Sequence, residues 1–177
     1  MDYFEALKAS ERVADPQFHA HSPVPPPRPN NVGDLIAYIR STCDDLYFSS
    51  ESDEPVELYQ LSASGLQSME ADLDKLTLPS AHDFAVFITG ERSLSDDGFV
   101  CEKHPIDVFF RQLRNHQVSE RQKKLAEALE ETFRKEVGEP GCSGAYYRVG
   151  IPPNIEVYVV MLIDGQVVGL KTLSIET

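Results

Sequence analysis

Basic residues are scarce in this chain: sixteen lysines and arginines stand against twenty-nine aspartates and glutamates, a formal charge of −13 over 177 residues. Nucleic-acid affinity rests on Lys and Arg neutralising phosphates, so direct binding of DNA or RNA is excluded, and an anionic membrane surface is disfavoured for the same reason. Long apolar runs are missing too, and none approaches the roughly 18 residues of a membrane span. The start, Met1-Asp2-Tyr3-Phe4-Glu5, lacks the basic and apolar regions of a secretory signal. Cysteine is sparse: Cys43, Cys101 and Cys142 lie far apart with no C-x-x-C pair. An odd count without a signal peptide points to reduced thiols packed as small hydrophobes. The chain is therefore expected inside the cell, cytoplasmic or, in a eukaryotic host, nuclear.

Motifs of common chemistries are absent as well. The chain has no G-x-x-x-x-G-K-[ST], no G-x-G-x-x-G and no G-x-S-x-G, so phosphate-loop, dinucleotide and hydrolase-elbow readings lack support. His19, His21, His82, His104 and His116 are scattered. His19-Ala20-His21 has a chelating spacing but no further ligands nearby, and His104 before Pro105 reads as a helix-start residue. Carboxylates are so abundant that no pair stands out. An enzyme is thus possible but unsupported by the residues, and no cofactor or bound metal is expected.

What is present is an uneven distribution. Residues 32–105 hold fifteen acids and four bases, a net of −11, whereas residues 106–139 hold seven of each. An acidic stretch of this size either solvates the surface or steers a basic partner, the latter raising association rates by roughly 10–10³-fold. Six of the twelve prolines precede residue 31, five of them in Pro23-Val24-Pro25-Pro26-Pro27-Arg28-Pro29. That segment predicts polyproline II, either a semi-rigid linker or a ligand for a P-x-x-P groove. With a short helix over 2–13, residues 1–31 read as an appendage to a domain spanning 32–177.

Within the domain the patterning is regular. Val32, Leu35, Ile36, Ile39, Cys43 and Leu46 recur at helical spacing behind Asn31, a capping residue. Phe48–Pro55 reads as a polar turn, Val56–Leu61 as a strand, Leu66–Leu76 as a weak acidic helix and Phe84–Thr89 as a short apolar strand. Asp96-Asp97-Gly98 marks a turn before a short strand over Phe99–Cys101. Pro105 fits the first position of a helix burying Ile106, Phe109, Phe110 and Leu113. Ser119 and Gln122 form a capping-box signature for a helix that buries Leu125, Ala128, Leu129, Thr132, Phe133 and Val137, presents a solvated opposite face, and stops at Gly138 before Pro140. Ala145–Val149, Ile155–Ile163 and Gln166–Ile175 read as strands, the last two joined by Asp164-Gly165, a strong hairpin signal. The sum is an α/β domain: a mostly antiparallel sheet with helices packed on it.

Phe48-Ser49-Ser50-Glu51-Ser52-Asp53-Glu54-Pro55-Val56-Glu57 resembles the F-x-S-E-S-[ED]-x-P-x-E signature of the nuclease A inhibitor family. Other blocks fit in the same order: the acidic pair Asp44-Asp45 at a helix end, Ile106-Asp107-Val108-Phe109-Phe110, Tyr147-Arg148-Val149-Gly150, Glu156-Val157-Tyr158-Val159, Gly169-Leu170-Lys171-Thr172 and the closing Glu176-Thr177. The resemblance covers residues 32–177. Past Phe110 it weakens, because Arg111, Arg114, Asn115 and His116 stand where an acidic-aromatic segment is expected, and residues 1–31 have no counterpart.

The resemblance implies an α/β/α sandwich and a protein inhibitor, not an enzyme. Its implied partner is a basic metal-dependent nuclease of the sugar-nonspecific ββα-metal class, bound one to one by an otherwise monomeric chain. Glu51 and Thr177 would approach the nuclease's metal site, with Ser52, Asp53 and Glu176 beside them. Without the resemblance, Ser50-Glu51-Ser52-Asp53 reads equally as a turn held by its own side-chain hydrogen bonds. The alternative function is an acidic binding module of the same fold with a non-nuclease partner.

Overall fold

The computed structural model describes residues 31–61, 77–139 and 142–177. The expected helix over 2–13, the polyproline segment, His19 and His21, the acidic helix over 66–76 and Pro140 lie outside the described residues.

Helix α1, Val32–Cys43, starts where its cap predicts: the Asn31 side chain accepts the Asp34 N–H at 3.1 Å. A small hairpin follows, β1 (Tyr47–Ser49) and β2 (Asp53–Pro55), and then strand β3, Glu57–Leu61. Helix α2, Ala81–Thr89, leads through a short 3-10 turn to β4, Val100–His104. Helices α3 (Ile106–His116) and α4 (Glu120–Gly138) precede three long strands, β5 (Ser143–Ile151), β6 (Asn154–Ile163) and β7 (Gln166–Ile175). Pro105 stands at the N-cap of α3, one place before the expected first helical position. The capping box of α4 is formed as expected, and Asp164 and Gly165 take the positive φ values (48° and 71°) that a type I′ turn requires.

The main sheet has the order β3-β7-β6-β5-β4, antiparallel throughout. Both faces of its central strands are covered, so the period-2 alternation sorts side chains between two cores. Val157, Val159, Met161, Val168 and Leu170 meet Leu35 and Ile39 of α1, Phe109, Phe110 and Leu113 of α3, and Leu129 and Phe133 of α4. Tyr158, Val160, Leu162, Ala145 and Tyr147 meet Phe84 and Ala85 of α2 on the other side. The expected class, an α/β/α sandwich on a mostly antiparallel sheet, is the observed one.

The segment 84–89 corrects the expected strand: it is the C-terminal part of helix α2. A short apolar run does not distinguish a buried strand from a buried helix. The flanks decide, because the Ser80 hydroxyl accepts the Asp83 N–H at 3.1 Å and Gly90, at φ 82°, closes the helix by donating to Val86 O at 2.8 Å. Phe84 pins α2 to the sheet, stacked on Tyr147 with ring centroids 4.0 Å apart and edge-on to Tyr158 at 5.2 Å.

The solvent-facing side of α4 also differs from expectation at one position. Glu130 is buried, its side chain 5% exposed, between Arg114 of α3 (2.9 Å) and Arg134 one turn on (2.7 Å). Neither Arg114 Nε nor Glu130 Oε1 is aligned for a hydrogen bond, so the trio acts through charge. A buried charge stripped of its partners costs about 3–5 kcal/mol. Replacing both arginines by methionine keeps their stems and removes their charges. We expect urea unfolding of that variant to report a loss of this size, and Glu130→Gln in the same background to recover part of it.

Candidate functional site

The polar segment 48–55 is a hairpin, not the turn the sequence suggested, with Phe48 opposite Glu54 and Ser49 opposite Asp53. Phe48 explains the difference. It is buried and stacked parallel on Phe109 of α3, centroids 5.4 Å apart, so one side of β1 belongs to the core. Two side chains at the end of α3 fix the hairpin further: Gln117 Nε2 donates to Tyr47 O at 2.7 Å, and His116 Nδ1 lies 2.6 Å from Ser49 O. A carbonyl only accepts, so His116 donates from Nδ1, and in the neutral ring Nε2 is left as an acceptor.

The hairpin tip, Ser50-Glu51-Ser52, is stitched to the end of β7. Ile175 N–H donates to Ser50 Oγ at 2.8 Å, and Glu51 N–H returns a bond to Ile175 O at 3.2 Å. The Glu51 carboxylate then accepts twice from Thr177, from the hydroxyl at 2.7 Å and from the backbone N–H at 3.0 Å. Residues 126 positions apart in sequence thus share hydrogen bonds on one exposed edge. The other three expected site residues are engaged differently. Ser52 donates to Glu54 at 2.6 Å, and the Asp53 carboxylate accepts from the Ser49 hydroxyl, so both act within the hairpin. Glu176 turns inward. It accepts from Arg148 Nη2 and from Ser174 Oγ (2.7 Å), while its N–H donates to Pro153 O at 2.8 Å.

Sequence reading missed Arg148 as an organiser. Its guanidinium bridges Glu176 and, at 2.8 Å, Glu102 on β4, and His104 lies 3.1 Å from the same Glu102 oxygen. Burial works against the Arg148 charge, but the hydrogen bond to Glu176 and the two carboxylate fields outweigh it and leave its pKa above the ordinary arginine value. The signal was available: an arginine in the middle of a strand flanked by apolar residues requires a carboxylate partner. The last two residues are therefore not a loose tail, since Glu176 is anchored on three sides.

Between the hairpin tip, α3 and the end of β7 opens a cleft of about 330 Å³. Gln112 and His116 form its helical wall, Tyr146 and Arg148 its sheet wall, and Glu51 and Glu176 its carboxylates.

Hydrogen bonds from Thr177, the hydroxyl first and the backbone N–H second, hold the Glu51 carboxyl below the usual glutamate range. A depressed folded-state pKa means that this tie is present above the unfolded glutamate value and is lost as pH falls through the folded one. We expect the Glu51 side-chain carbon, followed by NMR, to titrate below the ordinary glutamate range in the parent and closer to it in Thr177→Ala.

The three thiols are free, and burial first, then neighbouring carboxylates, pushes each of them up, Cys43 and Cys142 to about 12. They are poor nucleophiles. Among the described residues no three His, Cys, Asp or Glu side chains are grouped to hold a metal ion, and no helix is long and apolar enough to cross a membrane.

Residues 33–177 match the family described as nuclease A inhibitor-like protein. No curated protein matches the chain.

Proposed function

Since the chain belongs to the nuclease A inhibitor-like family, we propose that it is a stoichiometric protein inhibitor of a metal-dependent DNA/RNA nonspecific nuclease, and not itself an enzyme. The inhibitory domain is residues 32–177, with 1–31 as an appendage, and the complex is one to one. The observation that carries this reading is the Glu51–Thr177 pair, joined at 2.7 Å on an exposed edge.

The chemistry follows from the partner's needs. A Mg²⁺ in a nuclease keeps several waters and takes few protein oxygens, leaving positions for a substrate phosphate. Glu51 and Thr177 offer a cluster of hard oxygens at the place the phosphate would occupy. The Glu51 oxygen that Thr177 does not engage is free to face the metal or its waters. Because Ile175 and Thr177 hold the hairpin tip by four hydrogen bonds, little conformational freedom is lost on docking. A nucleic-acid groove is positively charged, and an acidic surface mimics the charge of the strand it displaces. Arg148 and Glu176 act behind this edge by holding the final residues in place.

Titrating the full chain into a Mg²⁺-dependent ββα-metal nuclease is expected to abolish DNA cleavage at one equivalent. Thr177→Ala keeps the backbone bond to Glu51 and loses the stronger one to its charged oxygen, so inhibition should weaken about tenfold. Undiminished cleavage at a large excess of the chain would overturn the reading.

A further inference from the structure

The cleft beside Glu51 has a chemistry of its own. Tyr146 forms part of its wall, is 2% exposed as a residue, and its hydroxyl has no hydrogen-bond partner among the described residues. The ring is buried while the hydroxyl is not among the buried atoms left without a partner, so it opens onto the cleft and can bond a group that enters there. Burial, aided by the fields of Glu176 and Glu102 and opposed by that of Arg148, raises the Tyr146 pKa to about 12, so the hydroxyl stays neutral and can accept as well as donate.

The remaining groups decide which ligand. Arg148 is the one guanidinium on the wall, and its fork is already occupied by Glu102 and Glu176. His116 spends its Nδ1 proton on Ser49 O, which leaves Nε2 of the neutral ring to accept. Glu51 makes no ion pair among the described residues, and one oxygen of Glu176 is unused by Arg148 and Ser174. The cleft thus holds spare carboxylate oxygens and no unpaired cation, beside the neutral donors of Gln112 and Tyr146. It suits a cation that donates several hydrogen bonds and repels an anion. Phe48 and Ile175 add an apolar flank against which an aliphatic stem can lie. A volume of about 330 Å³ lies at the lower end of small-molecule sites and leaves room for one long side chain.

We propose that this cleft receives an arginine side chain of the partner protein. Arginine is favoured over lysine because its rigid fork of five donors meets separated carboxylate oxygens and a phenol together. Arginine is also enriched among the few residues that dominate protein–protein affinity, typically seated in a pocket near the centre of the interface. That the partner is a nuclease rests on the function proposed above, whereas the cation preference of the cleft does not.

The test has two arms. In the first, the isotopically labelled full chain is titrated with N-acetyl-arginine amide, with the norleucine analogue and inorganic phosphate as comparisons. We expect saturable shifts at the Gln112 side-chain amide and at the Tyr146 and Ser174 backbone amides with the arginine compound alone. Tyr146→Phe should reduce the affinity several-fold, and Gln112→Arg, on an exposed helix surface, should abolish binding. In the second arm, Gln112→Arg is expected to weaken nuclease inhibition about tenfold, whereas Gln112→Glu is expected to inhibit at least as well as the parent. The proposal is overturned if phosphate moves these signals and the arginine compound does not, if neither does, or if Gln112→Arg inhibits as well as the parent. Arginine-specific shifts in a chain that fails to inhibit the nuclease would sink the proposed function and leave the cleft assignment supported.

Discussion

Glu51→Ala should cost inhibition roughly thirtyfold or more, the threshold of an interface hot spot, while leaving the melting temperature close to that of the parent. The two halves of this result have separate causes. The side chain is exposed and its one partner among the described residues is Thr177, so folding loses one surface tie. The interface loses the carboxylate itself and also the acceptor that orients Thr177. Glu51→Gln separates these contributions, because an amide oxygen still accepts from Thr177 but carries no charge for a metal or its waters. An intermediate loss is expected there. Groups that act as one unit are not additive, so Glu51→Ala combined with Thr177→Ala should lose less than the product of the two single effects. Fully additive losses would mean that the pair does not act together.

Gly169→Ala is expected to prevent folding, the largest stability effect in the chain. A Cβ at this position would lie 1.9 Å from Val159 O, 2.8 Å from Val160 Cα and 2.9 Å from Val159 C. All three are backbone atoms of the neighbouring central strand, so no rotamer change relieves the clash. Gly169 sits between Val160 of β6 and Tyr59 of β3, and moving β7 away would break both ladders. The cost should exceed the roughly 4–5 kcal/mol that marks an exceptional single substitution. Circular dichroism and a urea titration decide it. A cooperative transition at the parent's midpoint would contradict the backbone geometry described here. The same strand ends at Ile175, which holds Ser50, so Gly169 also underlies the candidate edge formed by Glu51 and Thr177.

Much of this architecture is legible in the sequence because local signals and tertiary packing agree. Asn31, Ser119 with Gln122, and Asp164-Gly165 each dictate a boundary that needs no distant partner. The failures occur where local signals conflict or are silent. Phe84–Thr89 is apolar throughout and fits either period, and Ser80 and Gly90 outweigh it. Phe48 lies in a polar context, and only the ring of Phe109 explains why it is drawn inward. Glu130 reads as one more surface acid until the arginines of two helices surround it. At the candidate site, composition pointed to an acidic stretch without naming a residue. The resemblance selected Glu51 and Thr177, but their contact depends on β7 ending beside a hairpin more than a hundred residues earlier. Nothing in the local sequence encodes that meeting.

The acidic stretch itself is sharpened by the structure. Several of its charges have local tasks: Asp34 and Asp83 sit in the first turns of α1 and α2, Asp45 pairs with Arg121 of α4, and Glu102 pairs with Arg148. Their contribution is to helix ends and ion pairs. Glu51 has neither a cationic partner among the described residues nor a place in a helix's first turn, and its side chain is tied to Thr177.

In the proposed complex the edge formed by Glu51 and Thr177 faces the nuclease's metal. Loading the nuclease with Mn²⁺ in place of Mg²⁺ and recording amide signals of the bound chain tests this directly. Paramagnetic broadening should be strongest at Ser50, Glu51, Ser52 and Thr177. It should be far weaker at Gly165, at the opposite end of the ten-residue strand β7, about 30 Å away at ~3.3 Å per residue. Broadening centred anywhere else on the chain, or a saturated complex in which the four residues stay sharp, would contradict the account.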